Sequence, residues 1–137
     1  MGKIKVIELD HIVLNVSDID PSLKFYTEVL GLKGERVDEF RAGKVIFRSV
    51  RINQQTIIDL FPRKEGAARA TEQKANANLN HFCLVVSAED FSGIVEYLRE
   101  NQVTVHQGPV SRWGAQGRAT SVYFSDPDGN EVEIRCY

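Results

Sequence analysis

A chain of 137 residues with 42% hydrophobic side chains has enough apolar surface for one cored domain, which excludes a disordered segment and a disulfide-stapled miniprotein. Lys and Arg number 17 against 19 Asp and Glu, so the net charge is −2 and there is no basic excess for nucleic acid. No apolar run approaches the roughly 18 residues of a membrane span, and residues 1–8 lack the long apolar stretch of a signal peptide. The expectation is a cytoplasmic protein that handles small molecules.

The first element is residues 9–17, Leu-Asp-His-Ile-Val-Leu-Asn-Val-Ser. Its alternation predicts a strand with Ile12, Leu14 and Val16 on one face and His11, Val13 and Asn15 on the other. Ser17-Asp18-Ile19-Asp20 has the spacing of a capping box, so a helix is expected with the Ser17 hydroxyl as its cap. Pro21 suits the first turn, Leu23, Tyr26 and Leu30 form the apolar stripe, and Gly31 is the stop. Strands are expected near residues 33–39, 44–50 and 55–61. Residues 62–78 contain no Ile, Leu, Val, Met or aromatic side chain and read as a linker.

The pattern then restarts. Residues 79–87, Leu-Asn-His-Phe-Cys-Leu-Val-Val-Ser, match residues 9–17 at an offset of 70, with five of nine positions identical and Asn80 for Asp10. His81, Cys83 and Val85 lie opposite Phe82, Leu84 and Val86. Ser87-Ala88-Glu89-Asp90 repeats the helix start, with Phe91, Ile94, Val95 and Leu98 as the stripe and Asn101 as the stop. Strands are expected near residues 103–106, 119–125 and 130–136. Both halves read β-α-β-β-β. The fold expected is a single α+β domain of module 1 (residues 7–61), linker and module 2 (residues 79–137), with eight strands and two main helices.

Chemistry centres on His11 and His81. A lone histidine at a strand start is usually an inert, hydrogen-bonded residue; two at equivalent positions of a duplicated unit point to a shared task. The turn Asp126-Pro127-Asp128-Gly129 leads into a last strand whose one face carries Glu131, Glu133 and Arg135. Either glutamate is placed to join the histidines. Residues 107–118 are glycine-rich, and Arg112 and Arg118 offer forked donors for a carboxylate or phosphonate. Ser121, Tyr123 and Ser125 share one face of the following strand. His106 is expected at a strand end, Cys83 beside His81, and Trp113 as a lid or a loop anchor. The two cysteines form no CxxC pair.

The L-[DN]-H start of each module and the closing D-P-D-G-N-x-x-E resemble the vicinal oxygen chelate superfamily. It includes glyoxalase I, extradiol dioxygenases, and fosfomycin- and bleomycin-resistance proteins. The resemblance implies a cupped eight-stranded mixed sheet around a divalent metal, Mn, Fe, Ni or Zn, held by His11, His81 and Glu133. Glu133 is chosen over Glu131 because the family's ligand falls four residues after the glycine, here Gly129. Such a set leaves coordination positions open for a substrate with two neighbouring oxygens. Asp59 falls where glyoxalase I carries a glutamate, with about 1.5 Å less reach. It is open to a role as ligand, as base through a water, or as hydrogen-bond acceptor only.

Gly117-Arg118 followed by Ser121-Val122-Tyr123-Phe124 resembles the phosphonate-binding segment of fosfomycin-resistance enzymes, although Val13 stands where those enzymes have threonine. The run GPVxRxGAxG with S-[VI]-Y-F-x-DPD looks closest to the glyoxalase domain-containing protein 5-like group. The activity implied is that of a metal-dependent lyase, isomerase or transferase acting on a small oxygen-rich anion. Arg112, Arg118, Ser121 and Tyr123 would bind the substrate, and Asp59 or Tyr123 would assist proton transfer. A homodimer is also implied. The alternatives are a drug- or metabolite-sequestering protein of the bleomycin-resistance type and an extradiol-type dioxygenase.

Overall fold

In the computed structural model, which describes residue 7 and residues 9–63 and 79–137, eight strands form two four-stranded mixed sheets. Each sheet belongs to one compact unit, Met1–Ala67 or Ala68–Tyr137. The linker is expected from residue 62, but Pro62 is the last residue of a strand; residues 64–78 lie outside the described residues.

The first sheet contains β1 (His11–Val16), β2 (Lys33–Glu35), β3 (Arg48–Arg51) and β4 (Ile57–Pro62), in the order β1-β4-β3-β2. β1 runs parallel to β4, a pairing that requires a crossover, and the other pairs are antiparallel. The crossover is α1 (Ile19–Lys24), prolonged by a π-helical turn at Phe25–Val29. Leu14, Val16, Val50, Ile58 and Leu60 are buried from the sheet, together with Ile19, Phe25 and Tyr26 from the helix. Full burial of such side chains contributes about 1.5–3 kcal/mol each. This is the face the alternation assigned to the core.

Two local expectations are corrected here. Asp18, not Ser17, is the cap: its backbone is extended and its side chain accepts from the Asp20 amide at 3.1 Å. The strand expected over residues 33–39 ends at Glu35, because Arg36 turns left-handed at φ 61° and the chain enters α2 (Val37–Arg41). Asp38 and Glu39 in its first turn suit the positive end of the helix dipole.

The second sheet contains β5 (Phe82–Val85), β6 (Gln107–Gly114), β7 (Gly117–Ser125) and β8 (Glu131–Cys136), in the order β5-β8-β7-β6. Again the first and last strands are parallel. Ser87 caps as expected, accepting from the Asp90 amide at 3.0 Å. The expected helix comes in two pieces, α3 (Ala88–Phe91) and α4 (Ile94–Glu100), separated at Gly93 with φ 76°. Ile94 and Leu98 are buried, whereas Val95, assigned to the stripe, is exposed.

The strand expected at residues 103–106 is instead β6. Glycine there suggests a loop, but antiparallel pairing with β7 supplies a ladder that local propensity does not. Gly108, at φ 103°, sits at the register shift between Gln107 and Val110; a Cβ there would lie 2.3 Å from the Ser121 carbonyl oxygen. No helix among the described residues is long and apolar enough to cross a membrane.

Candidate functional site

In the first unit, cross-strand register gathers polar groups on the face away from the core. His11 pairs with Ile57, Val13 with Asp59, and Ser49 with Asp59. The His11 Nδ1 lies 2.6 Å from Asp10 Oδ2, so Nδ1 donates to that carboxylate and the ring is held with Nε2 turned away from it. Asp59 is buried, and its Oδ1 accepts from the Ser49 hydroxyl at 2.5 Å. The Ser49 oxygen in turn accepts from Arg36 Nε at 3.2 Å. The guanidinium of Arg36 lies over the Phe47 ring at 5.0 Å, and Phe47 stacks on Phe61.

The second unit repeats this register with different side chains. Cys83 pairs with Glu133, and Tyr123 pairs with Glu133 from the other side. The His81 Nδ1 lies 2.7 Å from Asn80 Oδ1, and its Nε2 lies 3.1 Å from Glu133 Oε2. Glu133 is 3% exposed, and its other oxygen, Oε1, has no hydrogen-bond partner among the described residues. The Ser121 hydroxyl and the Arg135 Nε on the same face are equally without partners. Buried polar atoms are rarely left unpaired, and here three lie close together on one face of the sheet.

Tyr123 meets the His81 ring edge-on, with centroids 5.7 Å apart. Burial and then the Glu133 carboxylate raise its pKa, while Arg112 opposes them, so the phenol keeps its proton at neutral pH. Desolvation, and next the Glu133 carboxylate, push the Cys83 thiol up to about 12. That makes Cys83 a poor nucleophile. His106, expected at a strand end, immediately precedes β6, and its Nε2 is 3.4 Å from Glu131 Oε1.

The two arginines expected to share one anion are separated. Arg112 pairs with Ala119 and lies on the Tyr123 face, where it acts on the phenol. Arg118 pairs with Trp113 on the opposite face, its guanidinium 5.6 Å from the indole. One residue along a strand reverses the face. Trp113 itself is 71% exposed.

The donor chemistry fits a divalent metal. With Nδ1 donating to Asn80 Oδ1, a neutral His81 presents Nε2 beside Glu133 Oε2 as a second acceptor, and a cation would satisfy both. The partners of Nδ1 orient each imidazole, as outer-shell groups do for metal-binding histidines. Within either unit, among the described residues, no three His, Cys, Asp or Glu side chains gather around one point.

Sequence reasoning overlooked four contributors. Asp10 and Asn80 were visible as the residue preceding each histidine in the repeat. Ser49 carried no signal, since only the β3–β4 register brings it to Asp59. Arg135 was placed on the correct face but given no work.

A model of the Glyoxalase/Bleomycin resistance protein/Dioxygenase superfamily matches residues 8–134. Virulence protein STM3117 of Salmonella typhimurium is 35% identical over 130 residues, spanning 94% of this chain and 83% of that protein. The Metallothiol transferase FosB of Staphylococcus epidermidis is 27% identical over 134 residues, spanning 95% and 82%. Among solved structures, a glyoxalase/dioxygenase from Nostoc punctiforme matches with a TM-score of 0.76 at 28% identity, covering 98% of both chains.

Proposed function

The chain belongs to the Glyoxalase/Bleomycin resistance protein/Dioxygenase superfamily, and we propose that it is a metal-dependent enzyme acting on a small, oxygen-rich anion. The observation that carries this reading is the His81–Glu133 pair, 3.1 Å apart with one buried carboxylate oxygen unpartnered. His81 and Glu133, with His11, would hold the metal, chosen among Mn, Fe, Ni and Zn. When bound, such an ion supplies Lewis acidity toward a substrate with two neighbouring oxygens. A metallothiol transferase among the relatives supports chemistry of this class.

The chain's own groups divide the remaining work. Tyr123, protonated and beside Glu133, donates to a substrate oxygen. Arg112, on the same face, receives the anionic end. Ser121 offers its unpartnered hydroxyl. Asp59, held by Ser49, accepts a proton. The same reading takes the protein as a homodimer, which would sediment at twice the 15.4 kDa chain mass.

The test is metal analysis and thermal unfolding of protein purified without a histidine tag, with Mn, Fe(II), Ni or Zn, each with and without EDTA. One equivalent of metal should bind and stabilise, by about 2.7 kcal/mol at a hundred times Kd, and EDTA should reverse it. A His11→Ala/His81→Ala double mutant should lose both effects. If that mutant keeps the same stoichiometric metal, the site is wrong. If no metal stabilises the wild type, the sequestering alternative takes its place.

A further inference from the structure

Arg135 is the one buried guanidinium in the second unit among the described residues, at 4% exposure. Its Nη1 donates to the Trp113 carbonyl at 2.9 Å, and its Nη2 to the carbonyls of Arg112 and Gly117 at 2.8 and 3.3 Å. The same guanidinium lies over the Tyr137 ring at 4.9 Å, and the Tyr137 hydroxyl accepts from the Gln116 amide at 2.9 Å. Arg135 of β8 and Tyr137, the residue that follows the strand, thus grip the tip of the β6–β7 hairpin. Gly114 makes room for the grip, since a Cβ there would lie 2.1 Å from Arg135 Nη1. β6 is the outer strand of its sheet, so β7 and this clamp are what hold its end.

A buried cation also needs an opposite charge. Arg135 Nη1 lies 3.7 Å from Glu133 Oε1, the oxygen that no hydrogen bond satisfies. We propose that Arg135 is the resident counter-charge of Glu133: it weakens divalent-metal binding there and transmits that binding to the β6–β7 hairpin. The inference rests on the metal reading above. A metal ion on Glu133 takes up the negative charge that Arg135 faces and adds a positive charge beside it. The guanidinium then shifts toward the hairpin carbonyls it already holds, and Trp113, whose own carbonyl is one of them, moves with it. Arg135 is therefore a positioning residue that sets metal affinity.

Trp113 is the chain's sole tryptophan, which gives a direct readout. Zn(II) alone, which is diamagnetic, is titrated into the chelator-treated full chain while emission and calorimetric heat are recorded. Both signals should share one midpoint. Arg135→Gln should bind Zn(II) about tenfold more tightly, equivalent to about 1.4 kcal/mol, and lose the emission change. Arg135→Lys keeps the charge but cannot span three carbonyls; its affinity should stay within about threefold of wild type while the emission change falls by about half or more.

The proposal is overturned if Arg135→Gln binds Zn(II) no more tightly than wild type, or if zinc heat appears while Trp113 stays silent. Should Arg135→Gln not fold, Arg135→Lys decides: an undiminished emission change overturns the proposal. Absence of zinc heat in the wild type removes the metal reading itself, and this inference with it.

Discussion

Asp59 and Glu133 occupy the same place in two copies of one scaffold. Val13 and Cys83, equivalent in the repeat, pair with Asp59 and Glu133 respectively, and each carboxylate sits two residues beyond the register of its histidine. Their neighbours differ. Asp59 accepts from Ser49 through Oδ1, and Ser49 is backed by Arg36, so one of its oxygens is engaged inside its own unit. Glu133 faces an imidazole at 3.1 Å and a guanidinium at 3.7 Å, with one oxygen left without a hydrogen bond. A duplicated fold supplies two equivalent positions, and the residue opposite each decides which carboxylate is free to bind something else.

The largest expected effect tests that division. Glu133→Ala should weaken Zn(II) or Ni(II) binding by about a hundredfold or more, beyond what outer-shell changes produce, while Asp59→Asn should change it less than about threefold. Equal losses in calorimetric titrations would mean that both units supply a ligand, and the contrast would break.

Next come the two fully buried serines of these faces. Ser49→Ala removes the donor to Asp59 and should destabilise by about 1–3 kcal/mol in urea unfolding, because a buried carboxylate is left unsatisfied. Ser121→Ala removes a hydroxyl that has no partner among the described residues and should change stability by less than about 0.5 kcal/mol.

The glycines of the outer strands give a parallel pair. Gly114→Ala drives a methyl group into Arg135 and should cost about 1–3 kcal/mol. At Gly34 the one tight approach of a Cβ is to the far end of the Arg48 side chain at 3.3 Å, with Thr27 and Leu23 at ordinary contact distances of 3.5 and 3.8 Å. Gly34→Ala should therefore be neutral or stabilise by about 0.5 kcal/mol.

The smallest effect belongs to the Glu35–Arg51 pair of the first unit, which is partly exposed. A hydrogen bond from Arg51 holds the Glu35 carboxyl below its ordinary value of 4.5. A lowered folded pKa means that the stabilisation is present above that ordinary value and is lost as pH falls through it toward the folded one. Arg51→Ala should therefore lower the melting temperature slightly at pH 7, and the gap to wild type should narrow as pH falls below 4.5.

Much of this architecture was legible because its signals are local. The repeat of residues 9–17 at 79–87 reports the duplication directly, and period-two alternation assigns the faces of β1, β5 and β8 from side-chain geometry alone. His11 and His81 stand out for the same reason, each opening one copy of the repeat, whereas Glu133 is singled out from Glu131 only by the resemblance to a family whose ligand falls four residues after the glycine. Asp18 displaced Ser17 as cap, and Arg36 cut β2 short, because both outcomes turn on a single backbone conformation that several residue types can adopt.

The sequence by itself determined two β-α-β-β-β modules, their core faces and the candidate ligands. Only the tertiary structure decided which carboxylate is occupied, that Arg118 lies on the opposite face from Arg112, and that Arg135 clamps the β6–β7 hairpin. Each of these depends on cross-strand register. Register is set by how two distant segments pack against a shared core, and a shift of one residue would exchange every partner while leaving the local pattern of each strand unchanged.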